Sequence, residues 1–188
     1  MRVLIISGSD KGHDGLTPLF KSPEYDGVVG VKSGVEAKRL SEYDEYDIIL
    51  INTPLKDEFG TETALFFAEN TTAGIMMIVQ TDIADDISSK VAESGIYVLS
   101  KPISPSLFYQ ALRLCTATRG RLQGLKKENA RLKTTIDEMR LLQRAKSALM
   151  EYLKMSEPAA HRYIEKQAMD LRLTKREVAQ SIIRTYEN

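Results

Sequence analysis

The rest of the chain is arranged around residues 104–153, within which hydrophobic positions follow a three-four rhythm. The seam of the rhythm, separated almost entirely by polar residues, consists of Leu122, Leu125, Asn129, Leu132, Ile136 and Met139. This spacing is typical of the a and d positions of a left-handed coiled coil, and asparagine at an a position favours a parallel, in-register pair. The rhythm ends where Leu141 and Leu142 stand side by side. The pattern therefore predicts a homodimer through a parallel coiled coil.

Ahead of this seam, short apolar runs alternate with helical stretches. Runs rich in β-branched residues predict strands at Arg2–Ser7, Val28–Val31, Ile48–Ile51, Ile75–Val79 and Tyr97–Leu99. Helices are predicted at about Gly15–Lys21, Val35–Leu40, Glu62–Asn70 and Asp85–Ser94. Repeated strand-helix units indicate an α/β fold with a five-stranded parallel sheet, covered on both faces and with functional loops at the carboxyl ends of its strands.

A long helix is predicted to begin at Pro105 behind a Ser104 cap and to continue to about Leu153, with a bend at Gly120 and Gly124. Its first turns offer the sheet an apolar face of Leu107, Phe108, Ala111, Leu112 and Leu114. Two further helices follow, opened by a Ser156 cap and by a capping box of Thr174 and Glu177. A three-helix packing is predicted from Leu142, Ala145, Leu149, Met150, Leu153, Ala160, Tyr163, Ile164, Met169, Val178, Ala179, Ile182 and Ile183.

Charge divides the chain into two parts. Residues 1–118 carry 10 Lys and Arg against 17 Asp and Glu, whereas residues 119–188 carry 16 against 9. An acidic and a basic half indicate modules with different partners. We expect a first domain at residues 1–118, a coiled-coil linker at 119–140 and a terminal domain at 141–188.

Several functional classes are disfavoured by the composition. The chain has no run of 18 apolar residues and no signal-peptide core, so we expect a cytoplasmic protein without a membrane partner. Cys115 is the single cysteine, and no Cys/His cluster indicates a metal or another cofactor. Because there is neither a nucleophile-base pair nor a glycine-rich phosphate loop, we expect no enzymatic activity.

The first 118 residues resemble a response-regulator receiver domain, a flavodoxin-like fold, through their five β/α units and the Lys-Pro pair after the fifth strand. In that family an acidic pair follows strand one, the phospho-accepting aspartate ends strand three, a hydroxyl residue ends strand four and a lysine ends strand five. The corresponding positions here hold Ser7 and Gly8, Asn52, Val79 or Gln80, and Lys101. Only the lysine matches.

Aspartyl phosphorylation needs a carboxylate nucleophile and a divalent cation held by oxygen ligands. Because Asn52 is an amide and the acidic pair is missing, the resemblance implies a receiver that is not phosphorylated. Two alternatives stay open: Asp10 or Asp57 replaces the acceptor, and Lys101 is a solvated side chain without a partner. A sensor or sequestering protein that binds the acidic half is then the expected switch.

The last 50 residues resemble the ANTAR domain in three segments: Ala145–Met150, Ser156–Ala160 and Ala168–Ala179. Two positions depart from the family, which often has glycine at Ser147 and serine at Ala168. The resemblance implies a dimeric RNA-binding antiterminator that holds tandem hairpins of a nascent leader transcript.

Basic residues around the last helices provide the candidate RNA contacts, because phosphate binding needs cations and loop bases need stacking partners. The candidates are Lys146, Arg172, Lys175 and Arg176, followed by Arg162, Lys166 and Tyr163. Alternatively, Lys146 is a surface lysine, Arg176 pairs with nearby acids, and Tyr163 belongs to the core.

Two rival functions are a DNA-binding response regulator and a protein-interaction scaffold. The last helix has Lys175, Arg176 and Arg184 but also Gln180 and Ser181, which is a thin set for reading a major groove. Salt-dependent binding to hairpin RNA but not to duplex DNA would separate an RNA-binding protein from the DNA-binding rival. A native dimer without any affinity for nucleic acid would favour the scaffold.

Overall fold

The computed structural model describes residues 1–186 and confirms the α/β fold with its five-stranded parallel sheet. The strands are Arg2–Ser7 (β1), Gly27–Val31 (β2), Ile48–Asn52 (β3), Gly74–Val79 (β4) and Tyr97–Ser100 (β5). The helices are Asp10–Leu16 (α1), Gly34–Ser41 (α2), Thr61–Asn70 (α3), Ala84–Val91 (α4), Pro105–Tyr152 (α5), Glu157–Leu171 (α6) and Lys175–Tyr186 (α7). All neighbouring strands are parallel, in the order β2-β1-β3-β4-β5.

Both faces of the sheet are covered, as the continuous apolar strands predict. Successive residues of a strand point to opposite faces, so Leu4 packs in one core with Phe67 of α3, and Ile5 packs in the other with Phe108 of α5. All four side chains are fully buried. The sheet therefore holds the carboxyl ends of β1, β3 and β5 in fixed positions at one edge.

The first helix begins earlier than predicted. It spans Asp10–Leu16 and is followed by a 3-10 turn over Thr17–Phe20, whereas the sequence predicted a helix over about Gly15–Lys21. The cause is Ser9, whose hydroxyl oxygen accepts a hydrogen bond from the Gly12 amide at 3.2 Å and caps the helix. This shift brings α1 over the end of β1.

Helix α5 is 48 residues long, which corresponds to about 70 Å. The predicted cap is confirmed, because Ser104 Oγ accepts from the Leu107 amide at 3.2 Å. The buried face consists of Phe108, Ala111, Leu112 and Cys115. Leu107 and Leu114, predicted to pack on the sheet, are 44% and 58% exposed because the i, i+3, i+4, i+7 set that starts at Phe108 excludes them. The bend at the two glycines stays a prediction.

The chain forms two compact units, residues 1–124 and 125–188, and α5 contributes to both. The core of the second unit consists of Ala145, Ala148, Leu149, Ala160, Ile164, Ala168, Val178, Ala179 and Ile182. The capping box is confirmed, with Thr174 N donating to Glu177 Oε2 at 2.8 Å and Glu177 N donating to Thr174 Oγ1 at 3.2 Å. Ser156 holds the N-cap position of α6, although its side chain makes no capping bond. Three residues predicted to pack are on the surface: Met150, Leu153 and Met169.

Candidate functional site

The carboxyl edge of the sheet holds the four residues at the degenerate phosphorylation positions. Ser7 and Asn52 are register partners on β1 and β3, and Asn52 Nδ2 donates to Ser7 Oγ at 3.0 Å. Ser7 Oγ in turn donates to the backbone oxygen of Ser9 at 3.3 Å. The polar groups at this edge therefore bond to one another, and the pocket they line with Gly8 and Lys101 has a volume of about 320 Å³.

Helix α1 closes over this pair of side chains. A Cβ atom added at Gly12 would overlap Ser7 Oγ and lie 2.5 Å from Asn52 Nδ2. A Cβ atom added at Gly8 would lie 2.9 Å from the backbone oxygen of Pro54. An acidic residue at Gly8, as receivers have, would thus require the Thr53–Pro54 segment to shift.

Lys101 is held against the backbone of the same edge. Its Nζ donates to the Thr53 backbone oxygen at 2.7 Å, and burial lowers the pKa of the side chain. It is therefore not the solvated lysine that the sequence left open. Its partner is a neutral carbonyl, whereas a phosphorylated site would offer it an anion.

The two aspartates considered as substitute acceptors have other roles. Asp10 pairs with Lys32 at 2.8 Å between Oδ1 and Nζ, and a hydrogen bond from that lysine lowers the pKa of Asp10. Asp57 accepts from the backbone amides of Gly34 at 2.9 Å and Val35 at 3.1 Å. Burial alone would raise the pKa of Asp57, but these amides bring it below its usual range. Asp57 thus caps α2.

The predicted coiled-coil seam is exposed in the single chain. Five apolar side chains share one stripe of α5 and are between 44% and 64% exposed, namely Leu122, Leu125, Leu132, Ile136 and Met139. Asn129 lies exposed within the same stripe. An apolar stripe of this length at heptad spacing is suited to a second helix.

Three of the candidate RNA contacts form ion pairs within the second unit. Lys146, whose side chain is 15% exposed, pairs with Glu157 at 2.6 Å and so joins α5 to the start of α6. Lys175 pairs with Glu165 at 2.6 Å, and Arg176 lies 4.0 Å from Glu138. The hydrogen bond donated by Lys146 lowers the pKa of Glu157, and the one donated by Lys175 lowers the pKa of Glu165.

The other candidates have open surroundings. Within residues 1–186, the exposed side chains of Arg162, Lys166 and Arg172 form no ion pair. Arg172 lies in the left-handed region at the end of α6, with φ 54° and ψ 37°, and it is exposed. Tyr163 is half-buried and packs against the core of the second unit. The structure brings Arg162, Tyr163 and Lys166 together on α6 and places Arg172 at its end.

A groove between α6 and α7 was not predicted. This α6–α7 groove has a volume of about 180 Å³, and its walls include Tyr163, Gln167, Leu171, Ser181, Thr185 and Tyr186. Tyr186 also stacks on Tyr152, with ring centroids 5.5 Å apart and planes inclined by 21°. Tyr163, Gln167 and Leu171 are spaced by four residues, which predicts that they share one face of α6. The groove itself could not be predicted, because α7 forms its other wall.

Comparisons with known proteins agree with this architecture. Residues 130–183 match the ANTAR domain. The transcriptional regulatory protein PdtaR of Mycobacterium tuberculosis is 26% identical over 184 residues, which cover 98% of this chain and 90% of that protein. The first unit matches the fold of a signal receiver domain from Pseudomonas fluorescens, with a TM-score of 0.58, 17% identity, and coverage of 65% of this chain and 91% of that one. It also matches a two-component transcriptional regulator, AraC, from Clostridium phytofermentans, with a TM-score of 0.59 and 18% identity. That match covers 65% of this chain and 98% of the other.

The sheet, its connections and these matches show that the first unit has a receiver-like fold. Further along the chain, residues 130–183 match the ANTAR domain, and the chain is similar over nearly its full length to the transcriptional regulatory protein PdtaR. None of the helices in residues 1–186 combines the length and apolar character that a membrane span requires. The same residues contain no group of three metal-ligating side chains.

Proposed function

We propose that the protein is a transcription antitermination regulator that binds two hairpins of a nascent leader RNA as a dimer. Bound hairpins are stabilised against a competing intrinsic terminator, so that the polymerase reads through. The match of residues 130–183 to the ANTAR domain carries this proposal. The similarity to PdtaR, which is named as a transcriptional regulatory protein, supports a role in transcription.

The charge of the last helices supports RNA as the ligand. From Arg140 to the end, the chain has 10 Lys and Arg against 6 Asp and Glu. Arg162, Lys166 and Arg172 form no ion pair within the described residues, so a phosphate can bind them without breaking one. Lys146, Lys175 and Arg176 join the contact set by exchanging a glutamate for a phosphate.

A dimer matches a ligand with two hairpins. The exposed seam of α5 supplies the surface for pairing, and Asn129 at an a position favours the parallel arrangement. A parallel coiled coil places both terminal units at the same end of the dimer. Each unit then binds one hairpin, and the second contact profits from the high effective concentration that the first creates.

Control is proposed to act through a protein that binds the acidic first domain, without phosphorylation. The Asn52–Ser7 hydrogen bond, the close approach of α1 and the neutral partner of Lys101 support a site that does not accept a phosphoryl group. A sensor or sequestering protein that recognises residues 1–118, with their excess of Asp and Glu, would block or release the dimer.

The experiment that tests RNA binding uses a pool of tandem-hairpin RNAs with randomised loops. The full-length protein selects from this pool, and the enriched RNA is titrated at several salt concentrations beside duplex DNA of the same sequence. We expect tight, salt-sensitive binding to RNA and weak binding to DNA. A pool in which no hairpin is enriched would contradict the proposal, and equal binding to both nucleic acids would favour the DNA-binding rival.

A further inference from the structure

The α6–α7 groove combines features that the ion-paired face of the same unit lacks. Tyr163 and Tyr186 contribute aromatic rings from the two helices, and Leu171 and Ile182 contribute apolar surface. The stack of Tyr186 on Tyr152 extends the aromatic surface beyond the groove, and Tyr152 is 52% exposed. Several aromatic side chains so close together offer surfaces on which a planar ring can stack.

Hydrogen-bonding groups in the groove lack partners inside the protein. Among residues 1–186, neither the Gln167 side-chain amide nor the Tyr163 hydroxyl makes a hydrogen bond, although both side chains are half-buried. An amide offers both donors and an acceptor, which is what the edge of a nucleobase requires. The hydroxyl of Ser181 stands on the opposite wall.

We propose that the α6–α7 groove binds one unstacked base from the loop of each RNA hairpin. This inference rests on the proposed RNA-binding function and names the part of the RNA that the groove recognises. Loop bases of RNA are splayed out, stacked on aromatic side chains and read along their edges. The groove has the walls for stacking and, in Gln167, a group that can read an edge.

Size and charge agree with a base as the occupant. The volume of about 180 Å³ is below the range of about 300–1,000 Å³ that drug-sized ligands occupy, so a single ring system fits better. Arg162 and Lys166 are the sequence neighbours of Tyr163 and Gln167 on α6, and Arg184 adjoins Thr185 on α7. These exposed cations flank the groove where the phosphates of a bound nucleotide would run.

The test combines abasic RNA with variants of the groove in a double-mutant cycle. Each loop base of the selected tandem-hairpin RNA is replaced in turn by an abasic nucleotide, and the affinity of the full-length protein is measured. Gln167→Ala removes the reading group, and Ser181→Leu fills the groove from an exposed position. Met169→Ala, on the exposed side of α6, is the matched control. Circular dichroism verifies that each variant is folded.

We expect one loop position at which the abasic nucleotide weakens binding to the natural protein by about tenfold, the size of one stacked base. In Gln167→Ala and Ser181→Leu the same replacement should cost about twofold or less, whereas Met169→Ala should keep the full loss. If RNA binds tightly and every abasic penalty is the same in all variants, the groove holds no base and the proposed function still stands. If no RNA binds at all, the proposed function is wrong and this inference with it.

Discussion

The side-chain amide of Asn52 donates a hydrogen bond to Ser7 Oγ at 3.0 Å, and the two residues are register partners on adjacent strands. They occupy the positions at which receiver domains place the phospho-acceptor and one acid of the metal-binding pair. Each satisfies a polar group of the other, so neither a cation nor a phosphoryl group is needed to complete the site. This edge of the sheet has the receiver architecture with a different internal chemistry.

The first prediction is that a small phosphodonor leaves the protein unmodified. Incubation with acetyl phosphate and Mg²⁺ should give no mass gain, because an amide is a poor nucleophile and the metal ligands are missing. Asn52→Asp should also stay unmodified, since Ser7 and Gly8 provide no carboxylate. Intact-mass spectrometry checks both proteins. A gain of one phosphoryl group that disappears in Asp57→Asn would show that phosphorylation is available.

The second prediction compares two glycines of α1. Gly12→Ala should lower the free energy of unfolding by about 1–3 kcal/mol, because its Cβ atom collides with Ser7 and Asn52 in a packed site. Gly15→Ala is the control in the same helix, because a Cβ atom there meets nothing within 4 Å. It should raise stability by up to about 1 kcal/mol. Urea unfolding followed by circular dichroism measures both, and equal effects would contradict a closed pocket.

The third prediction concerns the seam of α5. Leu132→Glu should convert the dimer into a monomer, because like charges meet at a d position of both helices. Thr134→Glu, at the f position on the outer side of the helix, adds the same charge away from the seam and should keep the dimer. Analytical ultracentrifugation gives the oligomeric state. A Leu132→Glu protein that still sediments as the natural one would place the dimer contact elsewhere.

The fourth prediction separates two roles of Lys146. If this lysine reaches RNA, Glu157→Gln should tighten RNA binding several-fold, because the carboxylate that holds Nζ at 2.6 Å is neutralised. Glu151→Gln, an exposed change on α5, controls for the general loss of negative charge. An affinity that rises equally in both variants, or that falls in Glu157→Gln, would make Lys146 a structural tie between α5 and α6.

The fifth prediction follows from the capping box of α7. The Thr174 amide, together with the Thr174 hydroxyl, lowers the pKa of Glu177. The folded state thus favours the carboxylate, and its stabilising effect is present above the unfolded pKa and lost as the pH falls through the folded one. The melting temperature should therefore fall less between pH 6 and pH 3.5 in Glu177→Gln than in the natural protein. Thr174→Ala should cost about 1 kcal/mol at neutral pH, and identical pH profiles would exclude this role of Glu177.

Strand positions and the sheet were predictable from sequence, because a fully buried parallel strand reads as an uninterrupted apolar run. The start of α1 was not, since two glycines and a histidine made the segment look like a loop, and the Ser9 cap was the only local signal. It is also hard to predict which face of an apolar helix is buried. Leu107 and Leu114 each stand one position before a buried residue, namely Phe108 and Cys115, and both are exposed.

The candidate RNA contacts were predictable as residue types but not in their pairing. The ion pair of Lys146 with Glu157 joins residues 11 positions apart on different helices, and only the packed unit brings them together. The α6–α7 groove was missed for the same reason, because Gln167 and Ser181 are unremarkable until the two helices face each other. The cations were therefore predictable from the sequence, whereas only the fold separates those that form ion pairs from those that form none.

The measurement that tests the central claim most directly is single-round transcription through an intrinsic terminator preceded by the selected tandem hairpins. Purified protein is added without any phosphodonor, and the fraction of full-length transcript is quantified. We predict that this fraction rises with protein concentration and that it stays at the basal level when one hairpin is deleted from the leader. An unchanged fraction at concentrations that saturate the RNA would contradict antitermination, even if the RNA is bound.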